Sequence, residues 1–215
     1  MGKFFTILVI TLITLFTVGT SHKLPSHQNF STAETIYTLA GPTDNNLIEL
    51  LDDSDAVVIQ LGLGGRVNGM LDTLQYLRNH PSKTIVIDGE CYSACTMLLS
   101  APDNVLLTDN ARMFFHSGTE TVCDDGLEVQ RLSPSANQKM LKLFSATQRA
   151  WIINTNAYSS VRFTEMPRGL IYVLYRDMWI STDKMPKRMD TGIDTSEEPK
   201  PKRPEPCGWL FIPTL

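Results

Sequence analysis

Apolar and polar positions along the chain change period several times, and each change marks an element. Glu34 to Leu39 and Ala56 to Leu61, the latter reading Ala-Val-Val-Ile-Gln-Leu, are β-rich runs of strand length. Between them Leu47, Ile48 and Leu51 mark a short helix. From Val67 the period lengthens: Val67, Met70, Leu71, Leu74 and Leu77 fall at helical spacing and predict an amphipathic helix. Thr84 to Ile87 predicts a buried strand, Asp88-Gly89 a turn, and Ser93 to Ser100 a second, buried helix. Two short strands follow, Val105 to Leu107 and Met113 to Phe115. Ser133-Pro134 is a helix start, an N-cap followed by proline in the first turn. Met140, Leu143, Phe144, Thr147, Ala150 and Trp151 then keep helical spacing and predict one helix of about 20 residues. Another apolar stretch after Pro167 holds Leu170, Ile171, Val173 and Leu174.

Strands that alternate with helices imply crossover connections and a mainly parallel sheet buried on both faces, so the fold class is α/β. Residues 33–189 form the folded domain of this reading. Before it, Met1-Gly2-Lys3 carries one positive charge and Phe4 to Val18 has no ionisable group. Small residues Gly19, Thr20 and Ser21 follow, as in a secretory signal. The apolar run is shorter than the roughly 20 residues a spanning helix needs, and an uncleaved anchor through residues 4–18 is the alternative. Residues 1–20 are thus signal or anchor, and 21–32 a polar linker. Beyond about residue 189 the chain turns charged and proline-rich, from Glu197 to Pro206, a composition that cannot bury itself. Cys207 to Leu215 is apolar again, so residues 190–215 form a tail whose end either docks back or stays free.

The composition suits one domain: 215 residues, 42% hydrophobic, with ordinary counts of 13 Gly and 12 Pro. With 19 basic and 23 acidic side chains the net charge is −4, which offers no footprint for a nucleic-acid backbone. Export places the protein in the periplasm or outside the cell, where cysteines pair. Cys91, Cys95, Cys123 and Cys207 allow three full pairings, and the sequence leaves the choice open. A zinc site from Cys91, Cys95, Cys123 and His116 lacks the paired spacing of structural zinc sites. The reading needs no metal and no cofactor.

Three local features carry candidate chemistry. Gly62-Leu63-Gly64-Gly65 lies between the Ala56 strand and the Val67 helix, where free backbone N–H groups at a helix start can hold an oxyanion. Gly89-Glu90-Cys91-Tyr92-Ser93-Ala94-Cys95 lies between a buried strand and a buried helix, at the sheet edge where open parallel sheets bind ligands. Ser93 there is a helix cap or a nucleophile. Met113-Phe114-Phe115-His116-Ser117-Gly118 ends a strand on a histidine. A serine hydroxyl needs a base to accept its proton, and His116 is 23 residues on, within reach of the same sheet edge.

In order and spacing these positions resemble the Clp-type serine peptidases of the crotonase-like superfamily, and in particular their exported bacterial relatives. The matching residues are Gly64-Gly65, Gly89, Ser93 and His116, over roughly residues 55 to 190. Tyr175-Arg176-Asp177-Met178-Trp179-Ile180-Ser181-Thr182 looks like the family's acid-bearing step. Leu63 stands where the family often has proline, and Ala94 where it often has methionine. The cysteines flanking Ser93 are foreign to the cytosolic enzymes, and a bridge there would brace the turn. The resemblance implies a Ser93, His116, Asp177 triad, with Asp183, Asp109 and Asp124 as alternative acids. It also implies an oxyanion hole from the backbone N–H groups of Gly65 and Ala94, with Gly64 shaping the turn. Peptide or protein would be the substrate. Rings formed by Clp-type relatives through a long helix at the position of residues 133–155 imply a homo-oligomer. Two competing readings are a binding or scaffold protein that keeps the fold without the reaction, and a thioesterase or acyl-CoA enzyme of the same superfamily.

Overall fold

The computed structural model describes residues 35–43, 45–124, 127–182 and 192–194. The chain forms β1 (Ile36–Gly41), α1 (Asn45–Asp52), β2 (Ala56–Gly62), α2 (Val67–Asn79) and β3 (Thr84–Tyr92). A 3-10 helix, Ser93–Ser100, leads to β4 (Val105–Leu107) and β5 (Arg112–Phe115). A hairpin of β6 (Thr119–Asp124) and β7 (Leu127–Leu132) precedes α3 (Pro134–Leu143) and α4 (Ala146–Asn154). Then come β8 (Thr164–Glu165), α5 (Arg168–Leu174), a 3-10 turn at Arg176–Met178, and β9 (Gly192–Asp194).

Seven strands make one sheet in the order β8-β5-β3-β2-β1-β9, with β4 pairing β3 beside β5. All pairs are parallel except β5 with β8, so the architecture is mixed α/β with a mostly parallel sheet. Such a sheet needs cover on both faces. On one face Val57, Ile59, Ile85 and Ile87 are fully buried in a cluster with Leu47 and Leu51 of α1, Met70, Leu74 and Leu77 of α2, and Met97 and Leu98 of the 3-10 helix, and on the other face Val58 and Val86 are buried. The hairpin is a separate two-stranded sheet whose residues are mostly exposed.

Two expectations change. Asp88-Gly89 is not a turn; β3 runs through it to Tyr92, and the pairing with β2 shifts between Ile59 and Leu61. Gly89 is there because the strands approach closely: a Cβ would stand 2.0 Å from the carbonyl oxygen of Gln60. The expected 20-residue helix is two helices. Phe144 is extended at ψ 155°, and the Ser145 hydroxyl accepts from the Gln148 N–H, capping α4 afresh. The N-terminal residues 1–34, residues 183–191 and the tail residues 195–215 lie outside the described residues. Among those described, no helix is long and apolar enough to cross a membrane.

Candidate active site

Parallel strands end on the same side, so the junctions after β2, β3 and β5 share one edge of the sheet. After β2, Gly64 and Gly65 take φ values of +82° and +146°. A Cβ on Gly64 would lie 2.7 Å from Tyr92 O, 2.8 Å from Ser93 Cβ and 3.0 Å from the Ala94 nitrogen, so the glycine turn rests directly on the junction after β3. That contact explains the glycine twice over, by conformation and by space.

After β3, Ser93 itself has φ +57°. For a residue with a Cβ this conformation costs about 1 to 2 kcal/mol. What holds it is visible. Cys91 and Cys95, both fully buried, form a disulfide with Cα atoms 5.4 Å apart, closing Tyr92-Ser93-Ala94 into a short loop. The Thr96 hydroxyl donates to Ser93 O at 2.7 Å. A Cβ on Gly62 would meet Cys95 Sγ at 2.6 Å, so the bridge packs on the end of β2. Cys123 is also disulfide-bonded, while Cys207 lies outside the described residues.

His116 follows β5, and its Nε2 is 2.5 Å from Ser93 Oγ. With the hydroxyl as donor, the ring proton sits on Nδ1, which is buried and has no hydrogen-bond partner among the described residues. Burial lowers the pKa of His116, because the charged ring loses solvation. Asp177 is not brought to it. It lies exposed in the 3-10 turn before Trp179, which bridges Leu107, itself paired with Ile87 of β3. Ile87 is five residues before Tyr92, about 16 Å back along an extended strand. Asp109 pairs with Arg168 and Asp124 with Arg131, and Asp183 lies outside the described residues.

Sequence reading missed the residues that hold the segment around His116. Asn137 of α3 accepts from the Gly118 N–H at 2.7 Å and donates to Ser117 Oγ at 2.9 Å and Tyr158 O at 3.1 Å, clamping the chain just past His116. Phe163 lies against the imidazole, ring centroids 4.6 Å apart. Ser93 and His116 open on a groove of about 720 Å³. Its walls are Gly65 and the first turns of α2, the hairpin through Thr119, Thr121 and Gln130, and α3 through Lys139 and Met140. Lys139 Nζ donates to Asn68 Oδ1 at 3.0 Å, tying α3 to α2. Among the described residues no group of three or more His, Cys, Asp and Glu side chains could hold a metal.

The edge therefore places a hydroxyl on an imidazole acceptor, with the glycine turn at Gly64 and Gly65 packed against the junction that carries Ser93 and Ala94. The first-turn N–H of Ala94 has no acceptor within its own helix. Such an arrangement can deprotonate the hydroxyl and stabilise an oxyanion. No family model matches the chain, and no curated protein matches its sequence. Among solved structures, a mutant of a membrane-bound stomatin-specific protease is similar at TM-score 0.44 and 12% identity, over 65% of this chain and 74% of that one. A peptidase from Plasmodium falciparum is similar at TM-score 0.43 and 10% identity, over 67% of this chain and 94% of that one.

Proposed function

We propose that the chain is an exported serine peptidase of Clp-like type, with Ser93 as nucleophile and His116 as its base. The observation that carries the reading is the 2.5 Å approach of His116 Nε2 to a Ser93 hydroxyl presented at positive φ. Ser93 Oγ attacks the peptide carbonyl carbon while Nε2 takes its proton. The carbonyl π electrons move to oxygen, and the N–H groups of Gly65 and Ala94 receive the oxyanion. Collapse expels the amine, which takes the proton back from Nε2, and leaves an ester on Ser93. A water, deprotonated in turn by His116, hydrolyses the ester.

Burial supports the base role, since a lowered pKa keeps the imidazole neutral at neutral pH. Asp177 has no part in this reading. Among the described residues, Phe163 lies against the His116 ring and Asn137 clamps the chain just past it, so both support the orientation of the base. The buried Cys91–Cys95 bridge supports maturation in an oxidising compartment.

The test is fluorophosphonate labelling and hydrolysis of unstructured peptides by the full chain and by Ser93→Ala. Loss of both in the variant is expected. Undiminished labelling of the variant removes Ser93 from the mechanism, and a folded wild type that neither labels nor cleaves leaves the scaffold reading in its place.

A further inference from the structure

The imidazole of His116 has two different neighbourhoods. One face of the site is the polar groove that His116 and Ser93 line together. Phe163 is not part of that lining; it packs on the imidazole from the segment that leads into β8. The placement follows from the sheet. β8 is antiparallel to β5 in the register Phe115 with Thr164, so residue 163 falls opposite residue 116. A hydrogen bond from Ser117 N–H to Ser160 O at 2.9 Å holds the same segment to the strand end. Phe163 also meets the Tyr92 ring edge-on at 5.0 Å.

Those contacts cover only part of the ring. Phe163 remains 51% exposed, and Val161 beside it 59%. An aromatic residue that touches a general base while offering half its surface to solvent is placed to receive something. The reaction says what passes there. Nε2 must return its proton to the leaving nitrogen, so that nitrogen comes within hydrogen-bond distance of His116. The side chain attached to the leaving residue then lies over the imidazole and its neighbour.

We infer that Phe163 is a specificity-determining residue that takes up an aromatic or large aliphatic side chain on the residue immediately after the scissile bond. The inference rests on the peptidase reading and narrows its substrates to peptides with such a residue at that position. Ring pairing with Phe163 and removal of apolar surface from water supply the preference. Tyr92 supports the Phe163 ring through its edge-on contact.

The experiment compares kcat/KM for two peptides that differ only after the scissile bond, Phe in one and Ser in the other, using the full chain. An aromatic contact of this kind gives the wild type a preference of about five- to ten-fold for Phe. Phe163→Ser brings the ratio close to one, and Phe163→Tyr restores it. Because the ratio cancels any general loss of activity, a role limited to steadying His116 would lower both rates and leave the ratio intact. That outcome overturns the inference, as does a wild type without preference. Hydrolysis that persists in Ser93→Ala defeats the peptidase reading instead, whatever the ratio.

Discussion

The junctions after β2 and β3 do the same job by opposite means. Both turn the chain at positive φ where a strand gives way to a helix. After β2 the residues are Gly64 and Gly65, for which the left-handed region carries no steric penalty. After β3 the residue is Ser93, whose side chain the chemistry needs and whose Cβ makes the same region costly. The difference in residue explains the difference in surroundings. The glycine turn needs only a close fit against Tyr92 and Ser93, whereas the serine turn is held by a disulfide two residues to either side and by the Thr96 hydroxyl.

Placing a Cβ on the free turn breaks the comparison most severely. Gly64→Ala meets the Tyr92 carbonyl at 2.7 Å and must shift one turn off the other. Fluorophosphonate labelling and peptide turnover should fall about 10²- to 10³-fold, the usual loss for a displaced oxyanion donor. Removing the clamp comes next. The double change Cys91→Ala with Cys95→Ala should lower stability by about 2 kcal/mol, as expected for so short a loop, readable as a shift in urea midpoint. Turnover should fall with it, because Ser93 loses the bridge that holds its φ. If the double variant keeps full turnover, the clamp is not what places the nucleophile.

A pH profile then separates the junctions by chemistry. Burial depresses the pKa of His116 below its ordinary value, so the neutral base persists to lower pH than a free imidazole would. In the wild type kcat/KM should drop ten-fold per unit only below a midpoint under 6.5. Gly64→Ala should keep that midpoint, since the glycine turn carries no titrating group; a midpoint that moves with Gly64 would mean that the turn also sets the environment of His116. The smallest effect is the most pointed. Ser93→Gly abolishes turnover but should raise stability by about 1 kcal/mol, the strain that the hydroxyl-bearing residue stores. A drop in stability would show that Ser93 is unstrained.

How far the sequence could be read follows the same physics. Ser93 and His116 were legible as partners because an alternating strand and helix pattern returns every parallel strand to one edge, and 23 residues suffice for the return. The Asp177 assignment depended on depth along the sheet, which local similarity does not encode; the bridge from Trp179 to Leu107 sets it. Asp88-Gly89 reads as a turn because the pair is common in turns, but here the glycine answers a close approach to Gln60 that only the register reveals. The hairpin was missed because most of its residues are exposed, so no burial period marks them. Asp125-Gly126 was the available signal. Asn137 and Phe163 act as isolated residues, and a single residue has no period to detect.

The hairpin has a consequence for how this protein could diversify. It walls the groove through Thr119, Thr121 and Gln130, yet its ladder belongs to a sheet separate from the one that carries the core. In the proposed peptidase, changes to those side chains would therefore alter which polypeptides are admitted while the scaffold keeps its stability. In that case, selection for substrate and selection for foldedness would act on different amino acids.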